Sequence, residues 1–192
     1  MERKTNMKKY IAKIEPLNAL KIGYEAHGQA EFTVEGNNLH IKVEMFDTPE
    51  NIEHWEHFHG FPDGKEASVP TIEQDTNLDG YIDLIETEPV SGTTMVPFDD
   101  APHEMNIPHD GYPVADANGH YEYEKDVPLD KLQAKFKEAF GSEDLQLDKR
   151  VVYVHGIPDS LALPDTVAGE VMCYSANTTL PIAAGKIEAA QD

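Results

Sequence analysis

Residues 30–45 read A-E-F-T-V-E-G-N-N-L-H-I-K-V-E-M, and this stretch decides the fold class. Leu39, Ile41, Val43 and Met45 recur at every second residue, so they share one face of an extended strand. Ala30–Val34 is a second strand-like run, and the E-G-N-N between the two is a turn signal. Together they predict a β-hairpin with a longer loop. Working outward, short runs of the same kind recur. His54–Phe61 (HWEHFHGF), His120–Glu124 (HYEYE), Val151–His155 (VVYVH) and Ile182–Ile187 are further strand candidates. One segment departs from this period. Leu129, Leu132, Phe136, Ala139 and Phe140 fall at helical spacing, with Gly141 as the stop signal, and predict a packing helix. Two long polar stretches, about residues 62–88 and 89–119, carry prolines and are expected to be loops. The pattern is all-β with long loops and one inserted helix.

The bulk properties bound the partners. The chain has 192 residues, 40% of them hydrophobic and 27% charged, as in ordinary globular proteins. Thirty-six acidic residues against 15 basic ones give a net charge of −21. Such a balance disfavours nucleic-acid phosphates and anionic lipid, and it favours cations. No run approaches the ~20 apolar residues of a membrane span. The N-terminus is basic but lacks the apolar stretch of a secretory signal, so a cytosolic protein or the mature form of an exported one is expected. The single cysteine, Cys173, excludes an intramolecular disulfide and reads as a small buried hydrophobe.

Residues 75–86 read D-T-N-L-D-G-Y-I-D-L-I-E. Side-chain oxygens stand at the first, third, fifth, ninth and twelfth positions, as Asp75, Asn77, Asp79, Asp83 and Glu86. Tyr81 at the seventh offers its carbonyl, and Gly80 at the sixth permits the sharp turn. Calcium takes six to eight oxygens, and this spacing wraps them about one ion. The twelve residues resemble an EF-hand loop. Pro70 and Pro89 flank it, so two full flanking helices are not expected. Calcium is therefore read as a structural clamp on a long loop.

His57-Phe58-His59 places two imidazoles on one strand face with Phe58 on the other, a pairing that can chelate a transition metal. His155 ends the strand VVYVH. His103, in A-P-H, and His109, in P-H-D-G, lie in the second long stretch. His54 is expected to be an exposed loop histidine, and His120 a structural residue at a strand start.

In this order the pieces resemble the copper/zinc superoxide dismutase fold family, including its CHRD-like relatives. His57-Phe58-His59-Gly60-Phe61-Pro62-Asp63 is similar to that family's HxHxFxD strand. Ala101-Pro102-His103 is similar to its G-P-H segment, and Ala115-Asp116-Ala117-Asn118-Gly119 to its A-D-x-x-G hairpin. Val151–His155 is similar to the strand ending in its last copper histidine. Residues 180–187 (LPIAAGKI) resemble its closing strand. The resemblance covers about residues 26–188. It implies a Greek-key β-sandwich or barrel over residues 26–192, with residues 1–25 as an N-terminal extension. It further implies a copper site at His57, His59, His103 and His155, and superoxide as substrate. His109 is the alternative third copper ligand, and with Asp110 or Asp116 it is the remaining provision for zinc. The chain departs from the family in lacking its disulfide, the closing-strand cysteine falling around Ala184. It also lacks the arginine before that strand, where Thr178 and Thr179 stand. The other readings are a non-catalytic calcium-stabilised CHRD-like module and a copper or zinc storage or delivery protein.

Overall fold

A computed structural model describes residues 6–191 of the chain. It contains eight strands: β1 (Lys8–Pro16), β2 (His27–Glu35), β3 (Asn38–Phe46), β4 (Glu56–Gly60), β5 (Thr93–Pro97), β6 (Tyr121–Pro128), β7 (Val151–His155) and β8 (Pro181–Ala189). Four helices accompany them: α1 (Ala19–Ile22), α2 (Leu84–Ser91), α3 (Leu129–Phe140) and α4 (Ala176–Thr179). All eight strands join one sheet in the order β5-β4-β7-β8-β1-β2-β3-β6. Every neighbouring pair is antiparallel. The protein is therefore all-β in its framework.

The sheet curls upon itself. β2 and β5 are five places apart in the order, a separation of about 24 Å in a flat sheet. Yet the ring of Phe32 on β2 meets Phe98, just beyond β5, at 5.6 Å edge to face. Phe98 also lies 6.4 Å from Phe58 on β4. The curl encloses an apolar core to which Phe32, Leu39, Ile41, Val43, Phe58 and Val152 contribute fully buried side chains. The alternation of β3 is the expected one, with Leu39, Ile41, Val43 and Met45 inside.

Several local expectations are corrected. The β2–β3 connection is a two-residue turn, since Glu35 pairs with Asn38 across Gly36 and Asn37. Gly36 supplies the left-handed backbone (φ 58°) that such a tight turn demands. The described part of the N-terminal segment does not stand apart: β1 lies between β8 and β2 in the sheet. Its sequence KKYIAKIEP hides this, because only Ala12 and Ile14 are buried and lysines line the other side. The stretch 89–119 also holds a strand. β5 is an edge strand and ends in Pro97, a residue that a strand tolerates where no ladder bond is needed.

α3 is as expected. Leu132 and Phe136 are buried, and Gly141 (φ 82°) ends the helix by donating to the Lys137 carbonyl. Arg150 enters the same region. It is 2% exposed and donates to the carbonyls of Leu145 and Phe61, with its guanidinium 5.8 Å from the Phe136 ring.

Glu56 on β4 is fully buried, with one carboxyl oxygen accepting from Tyr121 Oη at 2.8 Å and the other without a partner. Burial raises its pKa from 4.5 to about 8, against the opposing pull of the Tyr121 hydrogen bond. The folded protein thus keeps a proton that the unfolded chain releases, so this group costs stability as pH rises from about 4.5 towards about 8. Glu56→Gln should gain on the parent over that interval by on the order of 3–5 kcal/mol. Urea unfolding of both proteins at pH 5 and pH 8 measures it, and a pH-independent difference would contradict the assignment.

Candidate metal centre

The centre is built on the pairing of β4 with β7, which sets His57 opposite Tyr153 and His59 opposite Val151. Alternation along β4 sends Phe58 into the core and His57 and His59 to the other face. His155 ends β7, where the pairing with β8 slips between Val154 and His155. The backbone N–H of His155 is held by the Trp55 carbonyl at 2.8 Å. The three imidazoles converge. Ring centroids are 6.0 Å apart for His57 and His59, 5.3 Å for His57 and His155, and 5.8 Å for His59 and His155. One ligand atom from each lies within 4.8 Å of the other two. All three residues are at most 2% exposed.

One nitrogen of each ring has a hydrogen-bond partner, and for His57 and His155 that partner fixes it as the protonated one. Tyr112 Oη donates to the Ile107 carbonyl at 2.7 Å, which leaves its oxygen to accept from His57 Nε2 at 2.9 Å. The Thr179 carbonyl accepts from His155 Nδ1 at 2.7 Å. His59 Nε2 lies 3.3 Å from Thr94 Oγ1. The remaining nitrogens are His57 Nδ1, His59 Nδ1 and His155 Nε2. Each is buried and none has a hydrogen-bond partner. A buried polar atom without a partner costs about 1–3 kcal/mol, so three in one place call for an explanation.

The electrostatics keep the rings neutral. Burial, then repulsion from its neighbouring histidines, holds His57 well below the ordinary imidazole range. His59 is lowered in the same way. Burial brings His155 down to about 4, although its bond to the Thr179 carbonyl opposes the shift. Neutral imidazole with a free lone pair is the form that binds metal. The chemistry of three such nitrogens suits copper or zinc.

A small pocket of about 130 Å³ opens onto His57 and His155. Its walls include Trp55, Leu84, Ile107, Pro108 and Val171, with Thr94 and Thr179.

The other candidate ligands lie elsewhere. His103 sits on the 3-10 turn Pro102–Glu104 and takes no part in the cluster. His109 bonds through Nε2 to Asp99 Oδ2 at 2.6 Å and groups with Asp99 and Asp100. Asp110 instead accepts from Tyr174 Oη, and Asp116 caps the turn before β6 by accepting from Asn118 and His120 N–H groups. The zinc set of His109 with Asp110 or Asp116 is therefore not assembled. His54 is not an exposed loop residue but 0% exposed, its ring bridging the carbonyls of His155 and Pro49. His120 faces Glu44 at 3.1 Å and, with Glu122, makes a more exposed third group. Cys173, expected inside, is exposed. Tyr112 and Thr179 were not legible in advance. The one available signal is general: a ligating histidine needs a partner on its other nitrogen.

Within the loop 75–86 the side-chain oxygens bond to the loop's own backbone. Gly80 adopts φ 86°, and Asp75 accepts from the N–H groups of Asp79 and Gly80. Asp79 accepts from Tyr81 N–H, and Asn77 from Asp79 N–H. Asp83 and Glu86 form a reciprocal capping box at the start of α2. A helix does follow the loop despite Pro89, because so short a helix loses a single backbone bond there. Only a 3-10 turn, Ile72–Gln74, precedes it. Among the described residues, the loop's carboxylates do not gather as tightly as the three histidines do. The loop is also tied to residues 166–168. Asn77 Nδ2 donates to the Thr166 carbonyl, Thr166 Oγ1 to Asp79 Oδ2, and Ala168 N–H to Asp83 Oδ2 at 2.7 Å.

No family model and no curated protein matches the chain.

Asp83 serves both the α2 cap and the Ala168 N–H. Asp83→Ala should lower the unfolding free energy by about 1–3 kcal/mol in the presence of a chelator. Denaturant titration checks this, and an unchanged midpoint would show that the loop contributes nothing without an ion.

Proposed function

We propose that this chain is a metal-binding β-protein in which His57, His59 and His155 hold a copper ion, related in fold to the copper/zinc superoxide dismutases. The observation that carries the reading is the trio of buried, unpartnered imidazole nitrogens, whose opposite nitrogens are each held by a second partner. Coordination accounts for all three at once, and hydrogen bonds on the far side of each ring are what metal-ligating histidines use. Copper is preferred over zinc because the Irving–Williams order favours it where, as here, imidazole alone supplies the ligands. The copper would supply one-electron chemistry when bound. The strand order supports the relationship, since β3 lies beside β6 and β4 beside β7, as crossed Greek-key connections require.

Two features bear on superoxide dismutation. The ligand set holds three nitrogens rather than four, His103 lying outside it. No cation stands where the family's arginine is implied. Thr179 is there instead and orients His155 through its carbonyl. Dismutation is therefore slow in this reading. The missing cation favours storage or delivery of copper as the second reading.

The EF-hand-type loop, through Asp75, Asn77, Asp79, Tyr81, Asp83 and Glu86, is proposed to take calcium as a structural clamp. Its bonds to Thr166 and Ala168 and its continuation into α2 give the clamp something to hold.

Elemental analysis after loading with copper, zinc and calcium, then desalting, tests the first part. The parent should retain about one copper, and His57→Ala/His59→Ala should lose it. Retention by both would move the site elsewhere. Calcium should raise the melting temperature of the parent, because a ligand that binds only the folded state adds stability. An unchanged melting temperature at millimolar calcium would remove the clamp.

A further inference from the structure

We propose that a second pocket, beside Trp55 and Tyr174, binds a small amino alcohol in its ammonium form. The inference stands apart from the copper and calcium readings and needs neither ion.

The pocket has a volume of about 200 Å³ and is lined by Trp55 and Tyr174 together with the carboxylates of Glu53, Asp110 and Asp159. No Lys or Arg lines it. The segments that build it fall within residues 43–64, 66–124 and 151–185, three runs of sequence that hold no Lys or Arg at all. Among the described residues, none of the three carboxylates pairs with a lysine or arginine. A cationic ligand supplies the charge that the chain does not, and the net charge of −21 draws cations towards the surface.

The shape of the wall selects an organic cation. The rings of Trp55 and Tyr174 meet at 4.6 Å and 67°, which makes an aromatic corner, and aromatic faces attract ammonium groups. Tyr174 Oη donates to Asp110 Oδ1 at 3.1 Å and ties the corner to one of the carboxylates. Glu53, Asp110 and Asp159 do not gather as closely as a bare metal ion requires. An ammonium group carried on a few heavy atoms spans the wider spacing and donates N–H bonds to more than one oxygen. The volume, several times the ~30 Å³ that a water molecule occupies in the liquid, limits the ligand to that size. The hydroxyl follows from Trp55. This residue is 4% exposed, yet its indole N–H has no hydrogen-bond partner among the described residues and is not sealed from solvent. Trp55 lines this pocket as well as the one on the histidines, and an oxygen beside the ammonium can accept from it. Copper at the histidines would oppose the ammonium across Trp55, whose ring lies 6.1 Å from that of His57. The three carboxylates stand in the pocket wall itself, and attraction falls with distance, so they outweigh it.

Trp55 is the only tryptophan of the chain, so its fluorescence reports on this wall. The full chain without added metal is titrated with 2-aminoethanol at neutral pH and constant ionic strength. A saturable change at millimolar concentration is expected. Ethylene glycol, the neutral analogue, should give none, and choline, whose nitrogen has no N–H to donate, should bind several-fold more weakly. Glu53→Gln/Asp159→Asn keeps the side-chain shapes, and with the melting temperature retained it should weaken binding by about ten-fold or more. Glu188→Gln, at the exposed end of β8, should leave binding unchanged. No saturable change, an equal response to ethylene glycol, or binding unmoved by the double variant overturns the inference. A loss with Glu188→Gln as large as with the double variant also overturns it, because binding would then follow the general field. Co-sedimentation with vesicles that contain phosphatidylethanolamine, and not with phosphatidylcholine alone, would place the same amino alcohol on a lipid headgroup, and absence of sedimentation assigns it to the free compound. Metal content does not enter these readouts, so failure of the copper site leaves the pocket standing and the reverse holds as well.

Discussion

The antiparallel pairing of β4 with β7 is the constraint on which the rest depends. It brings residues from the two halves of the chain into register, His57 against Tyr153 and His59 against Val151. Because side chains alternate on a strand, one pairing serves two purposes. Phe58 and Val152 go into the apolar core, while His57, His59 and His155 gather on the opposite face. A slip of one residue would exchange the faces, driving imidazoles into the core and Phe58 out of it. Packing of the core thereby fixes where the three imidazoles lie.

The second requirement is that each imidazole present the correct nitrogen. That task falls to residues from three other parts of the chain: Tyr112 from the segment before β6, Thr94 from β5, and Thr179 at the end of α4. Tyr112 can accept from His57 because its own proton is committed to the Ile107 carbonyl. Trp55 stacks on Tyr112 at 5.5 Å and fixes its ring. The arrangement leaves three buried ring nitrogens without a hydrogen-bond partner, which by itself stabilises nothing in the chain.

The loop at 75–86 joins this centre through structure rather than through shared ligands. Asp83 caps α2, and Leu84 directly after it forms part of the pocket wall. Asp79 and Asp83 hold Thr166 and Ala168, which lead to Val171 in the same wall. An acidic loop that appears in the sequence as a separate insertion is thus part of the architecture around the histidines.

Much of this was determined by the sequence by itself. Period-two alternation specifies β3, a short apolar run specifies the strand VVYVH, helical spacing with Gly141 specifies α3, and the H-x-H pattern places His57 and His59 on one face, because these features are local consequences of backbone geometry. The position of Gly80 and the capping box at Asp83 and Glu86 are local in the same sense. β1 escaped because its lysines mask two inward residues, and β5 because it is short and lies amid prolines. Tertiary structure alone decided that His155 joins His57 and His59 while His103 does not, that His109 turns to Asp99, and that His54 is buried. It also decided that Tyr112 and Thr179 orient His57 and His155. These depend on which strands pair and on where irregular segments come to rest. Such contacts join residues far apart in the chain, and no local spacing encodes them.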